Sequence, residues 1–189
     1  MTSSTGPVRE PRWRPQRRLT RARLPAGLRP WLLDTGSLTQ RLIVAARGDF
    51  RVELLRQRWT RPMRNEARAL GLRPEAHAWV REVRLVCGGV PWVYARTVMP
   101  RAMLTGAERR LARLRSRSLG AVLFADPSTE RGEIEVVELK PDDRLYERAA
   151  AVAGARPALM WGRRARFLLK GKPLLVSEIF LPALGVFPE

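Results

Sequence analysis

Cysteine is almost missing from this chain. Cys87 is the only one among 189 residues, which excludes an internal disulfide and any zinc site built on cysteine pairs. Histidine is just as scarce: a Ser-His-Asp arrangement would hang entirely on His77, and no Gly-x-Ser-x-Gly elbow accompanies it. There is no glycine-rich phosphate loop and no group of histidines at metal-ligand spacing. No apolar run approaches the ~18 residues that a bilayer span needs. The opening MTSSTGPVREPRWRPQRR lacks the apolar centre of a secretory signal. These absences predict a cytoplasmic protein with no metal, no cofactor and no membrane insertion.

Lysine is rare as well. Only Lys140, Lys170 and Lys172 contribute to the 36 basic residues, the rest being arginine, against 18 acidic ones. The resulting net charge of +18 invites a nucleic-acid reading. Eight arginines and one Glu10 give residues 1–29 a charge of +7, while the remaining +11 is scattered along the chain. So lopsided an Arg:Lys ratio fits GC-rich codon usage as well as it fits phosphate contacts. Binding of nucleic acid through the basic tail therefore stands as a rival, with only general electrostatics behind it.

With 45% hydrophobic residues the chain has enough apolar side chain for one real core. Residues 1–26, rich in Pro, Arg, Ser and Thr and without a sustained period, read as a basic, disordered tail, and 27–189 as the folded domain. Pro30 suits a first helical turn. Ser37 and Gln40 have capping-box spacing ahead of Leu38, Leu42 and Ala45, with Gly48 as the stop. The period then falls to two at Phe50, Val52 and Leu54, again over Trp79–Cys87, and after Gly88-Gly89 over Trp92–Met99. Thr105 and Glu108 form a second capping-box pattern, and Leu119–Phe124 a short helix. Ile134–Leu139 is a weaker strand, and 141–158 reads as a helix or a mobile insertion. Trp161–Leu169 and Leu174–Leu181, joined by Lys170-Gly171-Lys172-Pro173, are the clearest hairpin. About six strands with helices grouped between them predict an α+β fold, a mainly antiparallel sheet with helices against one face.

Two charged residues fall on apolar faces. Arg81 shares a face with Trp79, Val83, Leu85 and Cys87, and Glu178 with Leu174, Val176 and Phe180. A guanidinium keeps its charge, so burying it without an anion is costly, and Glu178 needs a partner or a proton. Either the two neutralise each other or reach the sheet's edge, or they mark the cationic and acidic ends of a pocket for a small hydroxy acid. Arg163 and Arg96 also stand on mostly apolar faces and would make that pocket more cationic. Cys87, on the core face, reads as a small apolar residue. His77 precedes a strand with no nucleophile near it.

Four groups of residues, in order over about 28–182, resemble the chorismate pyruvate-lyase family. They are Trp31-Leu32-Leu33-Asp34 with Ser37-Leu38-Thr39; Trp79-Val80-Arg81-Glu82 through Cys87-Gly88, Pro91-Trp92 and Ala95-Arg96-Thr97-Val98; Ser118-Leu119-Gly120 with Leu123-Phe124; and Trp161-Gly162-Arg163-Arg164, Gly171-Lys172-Pro173-Leu174-Leu175 and Ser177-Glu178-Ile179-Phe180-Leu181-Pro182. The resemblance implies an antiparallel sheet with the ligand under helical flaps. It implies elimination of pyruvate from chorismate to leave 4-hydroxybenzoate, at the start of ubiquinone biosynthesis. It makes Arg81 the grip on the ring carboxylate and Glu178 the hydrogen-bond partner of the 4-hydroxyl, these two being the catalytic residues. Leu38 and Leu119 become substrate-binding flap positions at the carboxylate end, Leu119 through its backbone amide. The partners so implied are chorismate, 4-hydroxybenzoate and pyruvate, handled by a monomer. The chain departs from the family in three places. Leu38 stands where methionine is expected, Ser118 replaces a proline in a way that would loosen a flap, and the stretch from Phe124 to Trp161 is longer than usual. The rival from another class is a non-catalytic module of the same fold that senses small aromatic acids.

Overall fold

The computed structural model describes residues 9–186. Its framework is one eight-stranded antiparallel sheet. The strands are β1 (Arg14–Pro15), β2 (Phe50–Thr60), β3 (Ala78–Cys87), β4 (Val90–Pro100), β5 (Thr129–Arg131), β6 (Glu135–Leu139), β7 (Met160–Leu169) and β8 (Lys172–Phe180). They lie in the order β1-β6-β7-β8-β4-β3-β2, with β5 also paired to β7. The fold is α+β, with helices on both faces rather than one. The helices are α1 (Arg29–Leu32), α2 (Leu38–Ala45), α3 (Arg64–Ala69), α4 (Leu119–Ala125) and α5 (Arg144–Ala153).

Side-chain alternation gives the sheet two unlike faces. On one, Val52, Val83, Leu85, Ala95, Ala165, Phe167 and Val176 line a cavity roofed by α2 and α4. On the other, Tyr94, Val137, Ile179 and Met160 pack against Leu145, Tyr146, Ala149 and Ala150 of α5. The stretch left open between a helix and an insertion is therefore a helix, built into the core. Gly162 permits that packing, since a Cβ there would lie 2.4 Å from Ile179 Cδ1 and 2.9 Å from Glu178 O.

Two expectations change. Residues 9–26, read as part of a disordered tail, are docked: β1 pairs with β6, Leu24 is 3% exposed in the core, and Trp13 stacks under Arg164. Glu10 accepts hydrogen bonds from Arg64 N and Asn65 N at the start of α3. This segment uses a two-residue strand and three-residue 3-10 turns, each too short to write a period into the sequence. Residues 1–8 lie outside the described part. The capping box at Thr105 and Glu108 also does not form. Residues 101–113 wind as 3-10 turns, Thr105 Oγ1 donates to Ala102 O, and Glu108 instead takes Lys172 Nζ at 2.6 Å and Lys170 Nζ at 3.3 Å.

Candidate functional site

The cavity between the sheet and the α2–α4 roof gathers the residues singled out from the sequence. Leu38, Arg81, Leu119 and Glu178 all line it. The register explains why Arg81 and Glu178 share it. Arg81 is opposite Thr97, Thr97 is opposite Val176, and Glu178 is the next residue on that face of β8. Two strand spacings and one pleat separate their Cα atoms by roughly 12 Å. Inward-reaching side chains can therefore grasp the two ends of one ring.

Arg81 and Glu178 do not pair with each other. Arg81 is 2% exposed, and its Nη2 donates to the carbonyls of Arg115 and Arg117 at 2.8 and 2.9 Å. Its Nε is buried with no hydrogen-bond partner among the described residues. Among the described residues no carboxylate offsets the burial, which pulls its pKa down to about 10. A cation held this way is able to take an anion from the cavity. The two carbonyls belong to the turn that leads into α4, with Arg115 at a φ of 47°. Arg81 thus fixes the roof as well as the floor.

Glu178 is held instead by Arg163, its cross-strand neighbour, whose Nε donates to Oε2 at 2.7 Å. Arg163 is 1% exposed, and its Nη1 donates to Trp31 O and Asp34 O, both at 2.7 Å. The expectation that Arg163 adds positive charge to the pocket is met; the one for Arg96 is not. Arg96 points to the opposite face, where Glu66 takes its Nε and Nη2 and Glu82 its Nη1.

The roof is built from two capped helices. Leu38 and Leu119, 4% and 5% exposed, occupy the first positions of α2 and α4, where backbone N–H groups have no acceptor inside the helix. Ser37 Oγ accepts from Gln40 N, and Ser118 Oγ from Ala121 N. Ser118 also shares a 2.8 Å hydrogen bond with Thr39 Oγ1 across the roof. A serine here therefore caps α4 and ties it to α2, the reverse of the loosening expected from the loss of proline. Gly120 lets the two helices meet, because a Cβ there would lie 2.9 Å from Thr39 Oγ1.

One charged residue of the pocket was missed from the sequence. Arg131, from the three-residue β5, lines the cavity, donates from Nη1 to Thr35 O and Gly36 O, and lies over the Phe167 ring. So short a strand gives no alternation that could mark its face. His77 is exposed and lies outside the cavity lining. Cys87 is fully buried in the apolar core, which pushes its thiol up to about 11. Among the described residues no three His, Cys, Asp or Glu side chains cluster as metal ligands, and no helix is long and apolar enough to cross a membrane.

Comparison with solved structures finds the same fold at low identity. The effector domain of PhnF from Mycobacterium smegmatis superposes with a TM-score of 0.53 at 19% identity, covering 80% of this chain and 91% of that domain. A GntR-family regulator from Bacillus cereus gives 0.51 at 14% identity, covering 75% and 96%. Sequence comparison is more specific. The chain is 47% identical over 174 residues to a probable chorismate pyruvate-lyase of Aromatoleum aromaticum, covering 91% of this chain and 94% of that one. It is 44% identical over 154 residues to a probable chorismate pyruvate-lyase of Pseudomonas aeruginosa, covering 82% and 83%. Residues 10–187 match the family model for chorismate lyase. A match of that extent, over the same elements that build the cavity, makes this chain a member of the chorismate lyase family.

Proposed function

We propose that this protein is a cytoplasmic, monomeric chorismate pyruvate-lyase that releases 4-hydroxybenzoate for ubiquinone biosynthesis. The observation that carries the reading is Arg81: a buried guanidinium with an unpartnered Nε, on the floor of an apolar cavity whose other end holds Glu178. Arg81 takes the ring carboxylate, and Glu178, steadied by Arg163, takes the 4-hydroxyl. Leu38 and the backbone amide of Leu119 close over the carboxylate end.

In the reaction the C3–O bond breaks and its electron pair leaves with the enolpyruvyl fragment. The C4–H bond supplies the electrons that complete the aromatic ring, and its proton ends on the methylene carbon of that fragment, giving pyruvate. Every atom of chorismate is found in the two products, with no oxidant, metal or nucleophile required. The protein's part is to hold one conformer and exclude water. Product keeps the carboxylate and hydroxyl that anchor substrate, so uniform binding makes it an inhibitor that leaves slowly.

The test is direct. Pure protein mixed with chorismate should produce 4-hydroxybenzoate absorbance and pyruvate, and Glu178→Gln should bind 4-hydroxybenzoate yet turn over more slowly. Binding of 4-hydroxybenzoate with no turnover by the unaltered chain would make it a sensing module like the GntR effector domains. Neither binding nor turnover would sink the reading altogether.

A further inference from the structure

The cavity is over-supplied with positive charge for the two anchors just described. Its lining holds three guanidinium groups, Arg81, Arg131 and Arg163, and one carboxylate, Glu178. Arg163 neutralises Glu178 through the 2.7 Å contact, which leaves Arg81 and Arg131 without a carboxylate partner among the described residues. Asp34, the other acid that acts on Arg131, is already engaged: Oδ1 accepts from Gly36 N and Oδ2 pairs with Arg41 at 3.4 Å.

Arg131 stands at the Glu178 end. It and Arg163 bind successive carbonyls of one stretch, Arg163 at Trp31 and Asp34, Arg131 at Thr35 and Gly36. The Nε of Arg131 is buried with no hydrogen-bond partner among the described residues. Burial first, and then the nearby Arg163, hold its pKa below the usual arginine value, while Glu178 and Asp34 act in the other direction. Two like charges this close in a half-buried site are stabilised by an anion lying between them.

We infer that Arg131, beside Arg163, forms a second carboxylate site in the cavity, separate from Arg81, that selects a dianionic ligand over a monoanionic one. The inference rests on the proposed function. Chorismate carries one carboxylate on the ring and one on the enolpyruvyl ether at C3, next to the C4 hydroxyl assigned to Glu178. With the hydroxyl at Glu178, the ether carboxylate falls at that same end, where Arg131 and Arg163 are. 4-Hydroxybenzoate lacks this group, so the contact exists for substrate and is lost with the departing pyruvate.

A stable dianion separates this site from turnover. The probe is 3-(carboxymethoxy)-4-hydroxybenzoate, which has a carboxylate on an ether at C3 but is already aromatic. The control is 3-methoxy-4-hydroxybenzoate, which differs by that carboxylate alone. The unaltered protein should bind the dianion at least tenfold more tightly than the control. Arg131→Gln should weaken the dianion ten- to a hundred-fold, as expected for one charge-assisted contact, and raise the KM for chorismate. It should leave 4-hydroxybenzoate affinity within about twofold, and Arg131→Lys should recover part of the loss. Equal affinity of the unaltered protein for dianion and control overturns the inference without using any variant. So does an Arg131→Gln protein that loses dianion and 4-hydroxybenzoate alike, because Arg131 would then only brace the loop at Thr35 and Gly36. Failure of the unaltered protein to turn over chorismate would strike the function itself, a separate result from either.

Discussion

Arg81 and Arg96 are buried arginines on adjacent strands of one sheet, 2% and 4% exposed, and they face opposite ways. Arg96 is saturated. Glu66 binds it in a two-pronged contact at 2.7 and 2.9 Å, Glu82 takes its remaining nitrogen, and Arg148 from α5 completes the charge balance on Glu82 at 2.7 Å. Burial alone would lower the pKa of Arg96, but the carboxylates of Glu66 and Glu82 outweigh it and the pKa is raised. Arg81 has only two backbone carbonyls, and its pKa falls to about 10. The same residue type is thus a structural bolt on one face and, on the other, a cation left to the cavity, the ligand anchor proposed above. Burial does not separate the two roles; the presence of a carboxylate partner does.

The largest effect should come from breaking the saturated side. Glu66→Ala removes the two-pronged partner of Arg96 and the acceptor for Met63 N, leaving a buried charge undercompensated. A loss of about 3–5 kcal/mol is expected from such a deletion. Denaturant titration should show that loss, while 4-hydroxybenzoate affinity in the folded fraction stays the same. A large affinity change would mean that the two faces are coupled through the sheet.

Arg81→Lys is the mirror experiment. Lysine keeps the charge and loses the planar fork, so chorismate and 4-hydroxybenzoate should both weaken by about 1.5–3 kcal/mol, roughly ten- to a hundred-fold. Stability should change much less than in Glu66→Ala, since no carboxylate is left behind. Titrations and melting curves on the two variants should show opposite patterns. A variant at Arg81 that melts early but binds normally would reduce Arg81 to a brace for the Arg115–Arg117 turn.

The sequence carries this contrast only in part. Alternation over Trp79–Cys87 and Leu174–Leu181 is enough to mark Arg81 and Glu178 as misplaced charges, because long strands with one apolar face expose an odd member. Arg96 sits in an equally regular strand and looks equally misplaced. Which face receives the α2–α4 roof, and which receives Glu66 of α3, depends on where the helices land, and no local pattern encodes that. The partner of Glu178 depends on the β7–β8 register, which pairs it with Arg163. Arg131 escapes notice in a three-residue strand. The docked segment 9–26 escapes it because Trp13, Leu19 and Leu24 make their contacts one at a time.

That segment offers an intermediate test on the structural face. Glu10→Ala removes the carboxylate that accepts from Arg64 N, Asn65 N and Asn65 Nδ2, at the start of the helix that carries Glu66. Loss of such a cap typically costs about 0.5–2 kcal/mol. Deleting residues 1–24 should cost more, since it also removes buried Leu24 and the β1–β6 pairing. Both changes should lower the melting temperature and leave the KM for chorismate alone. A truncated protein of unchanged stability would return these residues to the status of a loose tail.

The smallest effect belongs to the roof. Thr39→Val is nearly isosteric and removes one partner of the Thr39–Ser118 hydrogen bond, while Ser118 still caps α4 through Ala121 N. One net hydrogen bond is worth about 0.5–1.5 kcal/mol, so the melting temperature should move only slightly. The same energy matters more for the opening of the roof, because this bond joins α2 to α4 directly above the cavity. If the bond resists opening, product release should quicken by roughly threefold to tenfold. Stopped-flow displacement of 4-hydroxybenzoate would read that as a faster dissociation rate, and where release limits turnover, kcat should rise with it. A slower or unchanged rate would show that the two helices do not part along this bond when product leaves. The route out would then lie elsewhere, with the Arg131-bound loop at Thr35 and Gly36 the next place to cut.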